Sequence, residues 1–297
     1  MAELKKIFKA VNMSGEQVEI CMRQMLKPCT KEELDVMSAE EKENCKFLSE
    51  LNSHTYIAEE GIECMQDIPV KMRDGVILYA DIYKPEGKGK NPLIISWSFY
   101  GKRPFEGQNE WQIMGVPPHT VSNMSKFESP DPGYWCRHGY AVANVDPRGI
   151  GHSEGDYIQF GTQDGKDGYD FIEWAAVQPW CNGRCGLSGN SCVAMTQLRI
   201  ASQRPPHLEC IAPWEATTNM YRESLCEGGI PARRFIGTIM AEGVGPNYID
   251  YTPDNLEKYP FINCTYWKDK DPIWENIKIP VYLTACWNHF HLRGSIN

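Results

Sequence analysis

The chain has 297 residues, 42% of them apolar and 23% charged, a composition that supports a buried core and argues against disorder. Its net charge of -9, with no basic run longer than doublets such as Lys5-Lys6 and Arg233-Arg234, excludes a phosphate-binding surface and with it nucleic acid as a partner. Charges interrupt the only place for a leader, MAELKKIFKAVNMSGEQVEI, and no segment approaches the ~18 uninterrupted apolar residues of a spanning helix, so a soluble cytoplasmic chain with no membrane partner is expected.

Residues 1–55 read as an N-terminal helical extension. Three S/T-x-x-E/Q capping boxes, Ser14 to Gln17, Thr30 to Glu33 and Ser38 to Glu41, each open a short stretch rich in Glu, Lys, Leu and Met. Such an extension packs as a cap; dimerisation and substrate gating are the alternatives, which leaves a homo-oligomer open. From Ile62 the pattern turns to strands. The runs Asp67–Met72 and Val76–Tyr83 flank Arg73-Asp74-Gly75, a hairpin signal, and Pro92–Trp97 and Tyr140–Val145 are largely apolar, as in parallel strands covered on both faces.

A helix with an apolar stripe is expected between Gly165 and Gln178, ending before Pro179. The run Cys185–Ser188 then leads through Gly189-Asn190-Ser191 into a second helix, Cys192–Ala201, stopped before Pro205-Pro206. Ile211–Trp214 resumes the strand pattern, residues 217–276 are rich in glycine and aromatics, and Ile279–Ala285 is a last strand. The whole reads as an α/β fold with a doubly wound, mostly parallel sheet. Its core is expected at 56–216 and 277–297, with a helical cap inserted at 217–276.

Two serines compete for the role of a nucleophile. GHSEG, around Ser153, matches G-x-S-x-G to the letter; GNSCVA, around Ser191, has Val193 in place of the last glycine. A nucleophile elbow follows a strand directly and opens a helix, because the strained turn exposes Oγ and the helix N-terminus stabilises an oxyanion. GHSEG is separated from its strand by Asp146–Ile150 and is followed by no helix start, whereas GNSCVA satisfies both conditions. Ser191 is the candidate nucleophile and Ser153 a loop serine; the bland reading of Ser191 is a helix N-cap.

Twelve cysteines are irregularly spaced, and with no leader reduced thiols are expected rather than disulfides. Cys181 and Cys185 form a C-x-x-x-C pair without a downstream partner pair, a weak hint of structural zinc; no metal-ligand cluster and no glycine-rich phosphate loop is apparent, so no cofactor is expected. Tyr221, Tyr248, Tyr251, Tyr259, Tyr266 and Trp267 either line an aromatic acyl pocket or fill the interior of the cap.

Met72–Val76 with Tyr83-Lys84-Pro85, Tyr100-Gly101-Lys102, Asp146–Gly149, Asp167–Asp170 with Glu173-Trp174, Gln178–Gly183 and Gly189–Ser191 occur in the order seen in CocE/NonD hydrolases, relatives of the X-Pro dipeptidyl-peptidases. From about Ile62 onward the chain resembles that family. The resemblance implies an α/β-hydrolase fold and a serine hydrolase acting on an ester, an amide or a peptide through an acyl-enzyme. Ser191 would be the nucleophile, and the N–H of Cys192 and the hydroxyl of Tyr100 the oxyanion donors; otherwise Tyr100 is an aromatic anchor in a loop. The family's acid follows the last strand in a glycine-tryptophan-x-aspartate signature, where this chain has Cys286-Trp287-Asn288-His289. Its histidine and its C-terminal β-sandwich fall beyond residue 297. Either the sequence is part of a longer enzyme, or a module without turnover, or it uses another base. The candidates for that base are His289 and His291, which otherwise are loop or cap-packing residues. A cysteine enzyme using Cys192 and an acyltransferase using Ser191 remain as further readings.

Overall fold

The structure is a computed structural model that describes residues 5–38, 48–103, 115–117, 119–232, 243–289 and 291–296. The chain begins with a hairpin, β1 (Lys5–Val11) and β2 (Gln17–Gln24), followed by a one-and-a-half-turn helix, α1 (Lys31–Val36). Among the described residues of 1–55 the expected helical extension is replaced by this hairpin, one short helix and the start of a further strand at His54. The Ser14 box fails because the side chain of Asn12 captures the N–H groups of Ser14 and Glu16, closing a turn, while Val18, Ile20 and Met22 alternate into the interior with the period of a strand. The Thr30 box does form: Glu33 N–H donates to Thr30 Oγ1, and Thr30 N–H donates to Glu33 Oε2. The third box reaches outside the described residues.

The central sheet is built from β3 (His54–Glu59), β4 (Ile62–Lys71), β5 (Ile77–Pro85), β6 (Asn91–Trp97), β7 (Ala141–Asp146), β8 (Cys181–Asn190) and β9 (Leu208–Trp214), in the order β3-β4-β5-β7-β6-β8-β9. It is mixed rather than mostly parallel: β3 to β5 and β7 pair antiparallel, whereas β7, β6, β8 and β9 pair parallel. The expected strand Ile279–Ala285 lies parallel beside β9, held by single bridges at Val281 and Thr284; Pro280 has no N–H to continue the ladder. Helices α2 (Pro132–Arg137), α3 (Thr162–Ala176) and α4 (Ser191–Ser202) carry the parallel crossovers. Leu93, Ile95, Val145, Phe171, Leu187, Leu198 and Ile200 meet in the core between sheet and helices.

Residues 217–276 contribute a π-helical turn (Tyr221–Leu225), a small hairpin of β10 (Cys226–Glu227) and β11 (Ile230–Pro231), the strand β12 (Tyr248–Asp250), α5 (Thr252–Lys258) and α6 (Thr265–Lys270). The segment is thus a mixed layer and not purely helical. β12 pairs antiparallel with β2, so the N-terminal hairpin and this segment share one sheet and one core: Val18, Ile20 and Met22 pack with Tyr157, Tyr266 and Trp267. Tyr266 and Trp267 are interior residues, whereas Tyr221 lines a cavity of about 360 Å³ together with Cys226, Pro231 and Leu256. No helix among the described residues is long and apolar enough to cross a membrane. Ten described cysteines are free thiols, in line with the expectation, and Cys29 departs from it as a disulfide-bonded residue.

Candidate active site

The chain leaves β6 toward β7 on one side and reaches β8 on the other, so β6 and β8 are neighbours whose following loops diverge. A crevice opens at such a point, at the carboxyl ends of the strands. The loop Ser98–Arg103 follows β6 and the turn Gly189-Asn190-Ser191 ends β8.

Ser191 is the first residue of α4 and holds a φ of 53° in the left-handed region, an uncommon conformation for a residue with a Cβ. The neighbouring Gly189 is obligatory: a Cβ there would stand 2.3 Å from Val193 Cγ1 and 2.9 Å from the carbonyl oxygen of Glu128. That carbonyl also accepts the N–H of Asn190 at 2.9 Å, fixing the turn from the far side. Thr196 Oγ1 donates to the Trp97 carbonyl at 3.3 Å and ties α4 back to β6. Strand, strained turn and helix therefore follow from one another as they do in a nucleophile elbow, with Val193 filling the space that a glycine would leave.

Ser153 of the literal GHSEG is fully buried. Its hydroxyl donates to the Asp146 carbonyl at 2.8 Å and accepts the N–H of Tyr79 at 3.0 Å, so it staples a loop to β5 and offers nothing to a substrate.

The loop after β6 is pinned from both sides. Lys102 Nζ pairs with Asp146 at 2.8 Å and with Asp67 at 3.2 Å, and Lys126 Nζ donates to the Gly101 carbonyl at 2.7 Å. Tyr100 rests edge-on against Phe127, 5.2 Å between ring centres, and its hydroxyl meets the Cys192 thiol and the Glu128 carboxylate. Burial, then those two neighbours, push its ionisation well above the ordinary phenol range, so the group stays a donor. The Cys192 thiol in turn lies within hydrogen-bond reach of the Ser191 and Tyr100 hydroxyls, which places the two candidate groups around one atom. Burial pushes this thiol up to about 12, and as a protonated thiol it is no nucleophile at neutral pH, which argues against a cysteine enzyme using Cys192. Glu128 was missed by the sequence reading, and only its left-handed φ of 59°, invisible in the sequence, marks it.

Across the same edge of the sheet stands a third group. Asn190 of β8 is in register with Trp214 of β9, and Trp214 with Thr284, so Ser191 and Glu215 are the residues that follow paired positions. Glu215, like Ser191, has a left-handed φ, 56°, and its N–H is held by the Thr284 carbonyl at 3.0 Å. Its carboxylate Oε2 lies 3.6 Å from His289 Nδ1. His291 is buried at 1% exposure, its imidazole pushed down to about 3 by burial and by His289, so it is neutral at physiological pH. His289 occupies the place of the aspartate in the tryptophan signature, and Glu215 is the residue that sequence reasoning passed over; its signal was its position one residue past the end of a parallel strand.

Other aspartates and histidines of the chain have structural partners. Asp250 pairs with Lys270 and Asp254 with Arg23, Asp269 and Asp271 accept from Thr162 and Asn219, and the rings of His138 and His152 bond to backbone carbonyls.

A model of the X-Pro dipeptidyl-peptidase (S15 family) matches residues 74–259. Cocaine esterase of Rhodococcus sp. (strain MB1 Bresler) is 31% identical over 156 residues, which cover 52% of this chain and 24% of that protein. A CocE/NonD family hydrolase from Staphylococcus aureus, known from its crystal structure, superposes with a TM-score of 0.66 and 36% identity over 74% of this chain and 40% of that one. An α-amino acid ester hydrolase shares the fold, at 17% identity and a TM-score of 0.54, over 84% of this chain and 48% of the other. The chain spans about a quarter of the length of the curated relative it matches.

Proposed function

The chain belongs to the X-Pro dipeptidyl-peptidase family, and from that premise we propose that it is a serine hydrolase cleaving an ester or amide of a small acyl compound or a peptide through an acyl-enzyme on Ser191. The observation that carries this reading is the left-handed Ser191 between β8 and α4. A serine forced into that conformation lifts its Oγ out of the sheet edge, with the amide groups of the helix N-terminus beneath the position of a tetrahedral oxyanion.

In this reading Ser191 Oγ attacks the substrate carbonyl and its proton passes to the His289 imidazole, whose other face turns to the Glu215 carboxylate. The oxyanion is received by the N–H of Cys192 and by the Tyr100 hydroxyl, which turns from Glu128 toward it. The protonated imidazole then returns its proton to the departing alcohol or amine. Water, activated by the same imidazole, attacks the acyl-enzyme and releases the acid; an acyl acceptor in place of water would make the chain a transferase. His291 is the other imidazole at this edge. A module of this fold without turnover is the second reading, and one observation favours it: the aspartate of the tryptophan signature is replaced by His289.

A fluorophosphonate probe and p-nitrophenyl acetate test the proposal together. Labelling and p-nitrophenol release are expected in the wild type and in Ser153→Ala, and neither in Ser191→Ala, while Tyr100→Phe lowers kcat roughly 10²–10³-fold, as loss of one oxyanion donor does. Labelling that persists in Ser191→Ala, or no labelling of the wild type, overturns it.

A further inference from the structure

We propose that Glu215, His289 and His291 form a binding site for a divalent transition cation of the zinc type. One donor atom from each of the three residues lies within 4.8 Å of the other two. Such convergence is not a product of the local sequence, because Glu215 follows β9 while the histidines follow the last strand.

The edge between Glu215 and His289 has the spacing of two ligands on one ion. Glu215 Oε2 faces His289 Nδ1 at 3.6 Å, beyond hydrogen-bond distance, and the His291 N–H lies 3.4 Å from the same nitrogen. Tetrahedral ligands bound to zinc at ~2.0–2.1 Å are themselves roughly 3.4 Å apart, close to the separation already present. The two imidazole rings meet edge to face, inclined at 64° with centres 4.7 Å apart.

The frame is rigid where it has to be. Gly294, in the short helix Leu292–Ile296, packs so closely on the segment after Glu215 that a Cβ would stand 2.5 Å from the Ala216 carbonyl oxygen and 2.9 Å from Thr217 Cα. The His291 carbonyl begins that helix by accepting the Ser295 N–H at 3.1 Å, so its buried ring is fixed relative to Glu215. Glu215 and His289 are partly exposed and close the remaining distance by side-chain rotation. Two imidazoles and one carboxylate are the donor set of zinc and its neighbours, whereas calcium and magnesium take oxygen ligands, and three protein ligands leave one position open.

A cation bound here occupies the imidazole that the proposed hydrolysis needs, so it inhibits; this consequence, unlike the binding itself, rests on that reading. The test is titration of the chelator-treated protein with Co2+, followed by visible d–d absorption, and with Zn2+ by calorimetry. One equivalent is expected to bind in the wild type and in Cys286→Ser, and at least roughly tenfold more weakly in Glu215→Gln and in His291→Ala, with circular dichroism showing that the variants fold. Because His291 is buried, Glu215→Gln alone decides if His291→Ala does not fold. Absence of stoichiometric binding, affinity unchanged in Glu215→Gln, or binding lost in Cys286→Ser overturns the proposal. The two ideas fail separately: cation binding without inhibition of p-nitrophenyl acetate hydrolysis upholds the site and removes the base, whereas Ser191-dependent hydrolysis with no cation binding does the reverse.

Discussion

Replacing Gly189 by alanine probes the elbow through stability, without reference to any reaction. The added Cβ would meet Val193 Cγ1 at 2.3 Å, Val193 Cβ at 2.8 Å and the Glu128 carbonyl oxygen at 2.9 Å, at a residue whose φ is +148°. Neither a β-branched side chain on a helix nor a carbonyl already bonded to Asn190 yields cheaply. Overpacking of this kind costs about 1–3 kcal/mol and the glycine-only conformation a further ~1–3 kcal/mol, so a loss of about 3 kcal/mol or more is expected. The cause can be divided. Val193→Gly removes both side-chain clashes, so Gly189→Ala made in that background should cost less, with a coupling of about 1–2 kcal/mol, while the carbonyl contact and the backbone strain remain. Urea unfolding of the four proteins, read by circular dichroism, measures the cycle. A Gly189→Ala loss within about 0.5 kcal/mol of zero, or strict additivity of the two substitutions, would refute the packing argument for the turn.

Two further outcomes follow from buried groups. Ser153→Ala should lower stability by about 1–3 kcal/mol, because the Tyr79 N–H and the Asp146 carbonyl lose their shared partner in the interior; unchanged urea midpoints would show that the hydroxyl is no staple. Asp164, which accepts from Trp97 Nε1 and Tyr157, is raised to about 7, chiefly by burial. An unfolded aspartate ionises near ~3.9, so between these values the folded protein alone holds the proton, and this group's contribution to stability is present at the acid end and is lost as the pH rises toward 7. Asp164→Asn should therefore melt above the wild type at pH 8 and lose that advantage by about pH 4, with the two Tm profiles converging on acidification; parallel profiles would contradict it.

The strands from Ile62 to Trp214 and the two helices that flank Cys181–Asn190 were readable because each is announced locally, by apolar runs, the Asp74-Gly75 turn and the prolines that stop the helices, whereas the short helix Pro132–Arg137 was not expected. The strand, turn and helix around Ser191, and their absence around Ser153, were readable for the same reason, since an elbow is a run of structure on either side of the serine and not a pentapeptide. The N-terminal strands were misread because capping boxes are local signals too, and in Asn12–Gln17 a competing local signal, an asparagine turn, prevails once Val18, Ile20 and Met22 find a sheet and core shared with residues 248–250. Glu215 and its two histidines lie 70 or more residues apart along the chain. They become neighbours only through the lateral register Asn190–Trp214–Thr284 and the packing of Gly294 on Ala216, and lateral register is set by which strands bury each other's faces, a property of the assembled sheet that no single segment encodes.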